Sequence, residues 1–160
     1  MAKTDLGKKM AIRIADLKDV NDIAVLGTHF SSSIISESEM FNRLDYALKQ
    51  SNHRVFVYED DKGKLMGWIH ACINLTLMRG IYGEILSFVV HKESRGLGIG
   101  NQLFLYTEEW IKEHHPTSVI IRSYTERERT HKFYSRYGYK NTQVALEKWI
   151  QEKKSEAVIN

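Results

Sequence analysis

Three alternating glycines follow an arginine in the middle of the chain, in the run Arg95-Gly96-Leu97-Gly98-Ile99-Gly100. An apolar stretch ending in Phe88-Val89-Val90 precedes this run, and a pattern typical of a helix follows it. Glycines let the backbone turn tightly and approach a ligand, and the first amides of a helix have no partner inside the helix. These amides point along the positive end of the helix dipole. The pattern therefore predicts a phosphate-binding turn, although glycines between a strand and a helix also form plain turns.

Two common nucleotide motifs do not fit this run. The dinucleotide fingerprint requires its last glycine where Asn101 stands. A P-loop requires Lys followed by Ser or Thr after a glycine run, and the sequence has none. Both nucleotide-binding interpretations are therefore excluded.

Two motifs in the second half of the chain together carry a family resemblance. The first motif is Arg or Gln, two residues, Gly, one residue, then Gly or Ala, and it is matched by Arg95, Gly98 and Gly100. The second motif is an aromatic-tyrosine pair before a Gly-aromatic turn, and it is matched by Phe133-Tyr134 and Gly138-Tyr139. On these residues the chain resembles the GNAT superfamily of acetyl-CoA-dependent N-acetyltransferases. The resemblance implies an α/β fold with a central mixed, mostly antiparallel sheet, splayed central strands and about four flanking helices.

The resemblance also implies which residues hold acetyl-CoA. The amides from Gly96 to Gly100 are expected to hold the pyrophosphate, and the pantetheine arm to pair with backbone near Val89, where that strand parts from the strand of Ile121. Arg127 departs from the family, which often has Asn there; it is expected to meet a cofactor phosphate or to pair with a neighbouring glutamate. The expected cofactor-binding residues are Phe88, Val89, Val90, Arg95, Gly96, Leu97, Gly98, Ile99, Gly100, Arg127 and Tyr134.

Acetyl transfer to an amine requires two proton transfers. A lysine-type ammonium has a pKa near ~10 and must lose a proton before it attacks, and the departing thiolate must gain one. The resemblance makes Tyr134 the candidate donor to the thiolate, the alternative being that Phe133-Tyr134 packs a helix on the sheet. Glu84, in an otherwise apolar strand, is the candidate base, or else forms a strand-end salt bridge or an edge position. His70 and His131 are alternative bases or structural histidines.

The acceptor is expected to be a primary amine on a small molecule. Protein N-termini or lysine side chains are the alternative acceptors, and a non-catalytic acyl-CoA-binding sensor is the alternative function. Direct transfer is expected because Cys72 lies in the wrong strand for a covalent relay. Acceptor selection is assigned to residues from His29 to Met40, to the hairpin from Asn74 to Tyr82 and to the C-terminal strands.

Composition restricts the remaining possibilities. The chain has 160 residues, 42% of them hydrophobic, and is interpreted as one domain over residues 1–160. Its net charge of +3 comes from interleaved charges, which does not suggest a nucleic-acid partner. With one cysteine, no signal peptide and no long apolar run, we expect a cytoplasmic protein without membrane contact. No metal site is expected, and a homodimer is considered.

Hydrophobic periodicity predicts the elements that must position these groups. They are, in order, a strand at Ile12–Ile14, helices from Asp16 to about Phe30 and from Glu37 to Gln50, strands around Val55–Tyr58, Leu65–Leu77 and Tyr82–His91, a helix from the glycines to His114, a strand at Val119–Ile121, a helix from Glu126 to Arg136, and one or two strands between Tyr139 and Ile150. Asn74-Leu75-Thr76 matches the glycosylation pattern but lies in a predicted strand, so we discount it.

Overall fold

A computed structural model describes residues 11–29 and 34–150 of the chain. The elements are β1 (Ala11–Ile14), α1 (Val20–Gly27), α2 (Glu37–Lys49), β2 (His53–Glu59), β3 (Leu65–Thr76), β4 (Gly80–Val90), α3 (Ile99–Lys112), β5 (Val119–Ile121) and α4 (Glu128–Ser135). Short 3-10 helices at Leu17–Asp19 and Lys92–Ser94 precede α1 and α3. The chain divides into two compact units, Met1–Ile120 and Ile121–Asn160. The interpretation as one domain over 1–160 stays a prediction.

The five strands form one sheet in the order β1-β2-β3-β4-β5. The first four strands pair antiparallel in sequence. At the approach to β5, the Thr117 amide donates to the Ile81 carbonyl at 2.8 Å and the Gly83 amide donates to Ser118 at 3.0 Å, so the two segments run in the same direction. The expected mixed, mostly antiparallel sheet with about four helices is confirmed.

Local side-chain caps explain where the first 3-10 helix and α2 begin. Asp16 and Asp19 form a capping box at the 3-10 helix that leads into α1, as their spacing predicts. The Ser36 hydroxyl accepts from the Glu39 amide at 3.2 Å and so caps α2. Helix α1 ends at Gly27, earlier than expected, and the predicted end at Phe30 lies outside the described residues.

The sheet carries helices on both faces. On the face of α1 and α2, an apolar cluster joins the two helices to β2, β3 and β4; it includes Ile23, Leu44, Val57, Trp68 and Val89. On the other face α3 packs closely, because a Cβ added at Gly83 would lie 2.3 Å from Ile111 Cγ2. Such close approach is available only where a strand lacks a side chain. The distance between α3 and β4 is therefore set by a glycine.

A β-bulge interrupts β4 close to Glu84. His70 pairs with Ser87, but the next residue, Ala71, pairs with Ile85, which leaves Leu86 as an extra residue on β4. An extra residue reverses the alternation of side chains and backbone groups beyond it. As a result Glu84 and Ser87 lie on the same face of the sheet.

One expectation from the sequence is wrong, and one strand boundary differs. Residues 139–150 contain no strand, and Val144, Leu146 and Ile150 are exposed there. Their alternating pattern fits a strand, but a strand also needs a partner and a surface to cover, and no partner pairs with this segment among the described residues. The strand predicted over Leu65–Leu77 ends one residue earlier, at Thr76, and Leu75 and Leu77 are exposed. In the described part of the chain, no helix is long and apolar enough to cross a bilayer.

Candidate active site

The glycine run forms a turn that leads directly into α3. Gly96 and Gly98 have φ angles of 85° and 82°, in the left-handed region that favours glycine. Gly98 is the N-cap residue, and the first backbone bond of the helix runs from the Gln102 amide to the Gly98 carbonyl at 3.1 Å. Among the hydrogen bonds of the described residues, none uses the Gly96, Gly98 or Gly100 amide as donor. The turn therefore presents backbone donors at the positive end of a helix dipole.

The turn is open to its surroundings at Gly96 and less so at Gly100. A Cβ added at Gly96 would meet nothing within 4 Å. At Gly100 it would lie 3.5 Å from Val90 Cγ2 and 3.6 Å from Phe88 Cζ, which is ordinary contact. Leu97 is largely exposed. The residues from Gly96 to Gly100 thus fit a group with several anionic oxygens.

The end of β4 turns part of its backbone away from β3. The His91 amide donates to the Met66 carbonyl at 2.8 Å, so by strand alternation Val89 also faces β3, while Phe88 and Val90 face the other side. Arg95 contacts the Val90 carbonyl, which faces away from β3, because its Nε donates to that oxygen at 3.4 Å. The side chain of Val89 is buried in the core. Phe88 and Val90 therefore offer backbone groups on the side of β4 opposite β3.

Glu84 is a buried carboxylate with two polar neighbours on the adjacent strand. It is 6% exposed and lies opposite Cys72 in the pairing of β3 and β4. The Asn74 side-chain amide, Nδ2, lies 3.1 Å from Glu84 Oε2 and 3.3 Å from Cys72 Sγ. Burial, and secondly the charge of Glu84, raises the pKa of the Cys72 thiol, which is therefore protonated at neutral pH. The buried position of Glu84 fits the expectation of a functional carboxylate better than that of an exposed edge residue.

A histidine pair lies on the same face, which the sequence did not indicate. His53 Nδ1 and His70 Nε2 are 2.9 Å apart, and the two rings are tilted with centroids 5.2 Å apart. Burial, and secondly the nearby His53, lowers the pKa of His70 to about 4. Burial also lowers the pKa of His53. Both imidazoles are therefore neutral at pH 7. The register of β2 against β3 brings the two rings together, and the sequence alone does not show that register.

Tyr134 lies in α4 of the second unit and is 9% exposed. Its ring lies 5.3 Å from Phe133 and 5.9 Å from Tyr139, centroid to centroid. Burial raises the pKa of its hydroxyl to about 12, and the positive charge of Arg127 opposes this shift. The guanidinium of Arg127 lies 5.4 Å from the ring of Tyr124. Tyr134 accordingly keeps its proton across the physiological range.

Other candidate residues have different environments. His131 is exposed on α4. The segment assigned to acceptor selection, from His29 to Met40, is described except for residues 30–33, and the hairpin after Asn74 exposes Leu77 and Met78. Among the described residues, no three His, Cys, Asp or Glu side chains are grouped to hold a metal ion.

The comparison with protein families identifies the class of protein. The model of the acetyltransferase (GNAT) family matches residues 20–139, which include both sequence motifs and all the elements from α1 to α4. The chain therefore belongs to the GNAT acetyltransferase family, and membership implies acyl transfer. A search of curated proteins finds no match for the chain.

Solved structures share the fold at low sequence identity. A GNAT family acetyltransferase from Staphylococcus aureus has a TM-score of 0.72 at 20% identity, over 88% of this chain and 98% of that one. Glucosamine-6-phosphate N-acetyltransferase from Arabidopsis thaliana has a TM-score of 0.75 at 21% identity, over 89% and 99%. A transcriptional regulator from Bacillus halodurans has a TM-score of 0.77 at 18% identity, over 88% and 99%. At these identities the likeness establishes the fold alone.

Proposed function

We propose that this protein transfers the acetyl group of acetyl-CoA directly to a primary amine on a small molecule. The turn from Gly96 to Gly100 carries the proposal, because it joins left-handed glycines, backbone donors and a helix N-terminus in one place. Family membership supplies the reaction class. The backbone groups of Phe88 and Val90, which face away from β3, are the proposed partners of the pantetheine arm.

When bound, acetyl-CoA supplies the acetyl thioester. Residues of the chain then carry out the proton transfers. Glu84, buried in a largely apolar strand, takes a proton from the acceptor ammonium and so frees the nitrogen lone pair that attacks the acetyl carbon. Tyr134 donates its proton to the sulfur as the carbon–sulfur bond breaks, and its raised pKa keeps that proton available. The second proton that the acetylated nitrogen releases restores the tyrosine hydroxyl. The role of Arg127 toward a cofactor phosphate, and those of Arg95 and Leu97, remain predictions.

A small-molecule acceptor is proposed because the two residues of β3 that neighbour Glu84, Asn74 and Cys72, are uncharged, and so is the pair of His53 and His70 on the same face. Uncharged polar side chains beside one carboxylate suit an amine that carries hydroxyl or other uncharged polar groups. Protein N-termini and lysine side chains are the alternative acceptors. A cytoplasmic location and a homodimer are further proposals from the sequence.

A panel of amines tests the proposal. Release of free thiol from acetyl-CoA is measured with small amines, amino sugars and peptides bearing a free N-terminus or lysine, and products are identified by mass. We expect a mass gain of one acetyl group on at least one small amine. A sensor without activity would release no thiol above the no-acceptor blank and would show only thermal stabilisation by the coenzyme. Acetylation of peptides alone would contradict the acceptor class.

A further inference from the structure

Asn74 makes a diagonal contact across two strands that its sequence context does not suggest. In the register of β3 and β4 it lies opposite Tyr82, and Cys72 lies opposite Glu84. The Asn74 amide nonetheless reaches Glu84 Oε2 at 3.1 Å. Diagonal neighbours of a sheet are within reach of each other's longer side chains. The contact therefore links the buried carboxylate to the neighbouring strand.

The same amide has a second partner that fixes its orientation. An asparagine side-chain nitrogen carries two N–H donors. One faces Glu84, and Cys72 Sγ accepts the other at 3.3 Å. Because burial and Glu84 raise the pKa of Cys72, the sulfur is an uncharged acceptor at neutral pH. Cys72 can therefore anchor the amide without adding a second negative charge beside Glu84.

Glycosylation does not account for Asn74. The pattern Asn74-Leu75-Thr76 requires an accessible amide nitrogen, yet this nitrogen is half-buried and donates to two acceptors. An ionised carboxylate accepts hydrogen bonds and donates none. Asn74 Nδ2 is therefore the donor in this contact and Glu84 Oε2 the acceptor.

We propose that Asn74 is a positioning residue for Glu84, holding the ionised carboxylate in the orientation in which it accepts the proton of the acceptor amine. This inference rests on the proposed function, in which Glu84 is the base. Asn74 acts through Glu84 and needs no contact with the substrate. Loss of a hydrogen bond to a charged group is expected to lower turnover about 10- to 100-fold.

Asn52 provides a matched control. Its side-chain amide also donates to β3, to the Ile73 carbonyl at 2.9 Å, but it is exposed and bonds no carboxylate. The experiment measures kcat and KM for wild type, Asn74→Ala, Asn74→Asp, Asn52→Ala, Glu84→Gln and the double variant Asn74→Ala with Glu84→Gln. The substrates are acetyl-CoA and the best amine of the panel, across a range of pH. Asn74→Asp is isosteric and serves if Asn74→Ala does not fold.

The expected result is a lower kcat in Asn74→Ala with little change in KM for acetyl-CoA, while Asn52→Ala resembles wild type. In Asn74→Asp the acidic limb of the pH–rate profile moves to higher pH, because a second carboxylate opposes ionisation of the first. In the Glu84→Gln background, Asn74→Ala has no further effect, since its role has already been removed.

Equal losses from Asn74→Ala with and without Glu84 overturn the inference, because a purely structural role is independent of that carboxylate. A wild-type pH profile in Asn74→Asp overturns it as well. These outcomes leave the proposed function standing if wild type still acetylates an amine. A wild type that releases no thiol with any amine overturns both.

Discussion

Tyr134 combines a buried hydroxyl with a pKa of about 12, which is the state required of a proton donor near neutral pH. We predict that Tyr134→Phe lowers kcat about 100-fold or more, because the departing sulfur loses its proton source. Stopped-time assays of thiol release measure kcat, and calorimetry measures the affinity for coenzyme A, which should hardly change.

Tyr137→Phe is the matched control, since it removes a hydroxyl three residues further along the chain from Tyr134. Its turnover should equal that of wild type. Unchanged turnover in Tyr134→Phe would remove Tyr134 from the mechanism and leave it as a packing residue.

The neutral pair of His53 and His70 makes the fold sensitive to acid. Burial lowers the pKa of His70 from an ordinary 6.5 to about 4, so the unfolded chain binds a proton that the folded chain does not. The stabilisation is complete above pH 6.5 and is lost as the pH falls from about 6.5 to about 4. We predict a thermal midpoint that declines over this window.

Thermal unfolding of His70→Gln should show a shallower decline between those pH values, whereas His131→Gln, exposed on α4, should follow wild type. A midpoint of wild type that stays constant from pH 7 to pH 4 would contradict the assignment of a buried neutral pair.

At the residue scale, the sequence indicated Glu84 and Tyr134 by their types and places in a pattern. It did not indicate the bond from Asn74 to Glu84 or the pair of His53 and His70. Both contacts cross between strands, so they depend on register and on the bulge at Leu86, which periodicity does not encode.

At the scale of elements, β4 and α3 hold the candidate site together through a close contact. A methyl group on Gly83 would lie 2.3 Å from Ile111 Cγ2, on a helix whose first turn carries the glycine run. We predict that Gly83→Ala destabilises the fold by about 1–3 kcal/mol and lowers the thermal midpoint by roughly 2–12 °C. Scanning calorimetry checks this.

Gly27→Ala is the control, because its added methyl would lie 4.0 Å from Met40 Cε and Gly27 ends a helix. That variant should be neutral or slightly more stable. A Gly83→Ala protein as stable as wild type would mean that α3 is free to shift away from β4.

Elements with strong periodicity were predicted well from the sequence. The helix expected after the glycines is α3, and the strand expected at Val119–Ile121 is β5. The strands expected between Tyr139 and Ile150 were wrong, because alternation of apolar residues reports a capacity to form a strand, while pairing requires a partner elsewhere in the chain.

For the whole molecule, the match over residues 20–139 and the five-stranded sheet agree on the GNAT acetyltransferase family. The turn at Gly96–Gly100 was evident from sequence because glycine, unlike most residues, reports backbone geometry directly. Acceptor identity was not evident, since it depends on side chains gathered from separate elements. The family therefore fixes the reaction class, and the proposed site must explain the choice of acceptor.

The most direct test of the account is calorimetric titration of coenzyme A into the wild-type protein and into Gly100→Glu. A Cβ added at Gly100 would make ordinary contact with Val90 and Phe88, and a carboxylate is favoured at a helix N-terminus, so we expect the variant to fold. Its negative charge repels a diphosphate at the turn. The account predicts saturable binding to one site in wild type and a loss of at least about tenfold in affinity in Gly100→Glu. Absence of binding to folded wild type, or equal affinity in the variant, would contradict it.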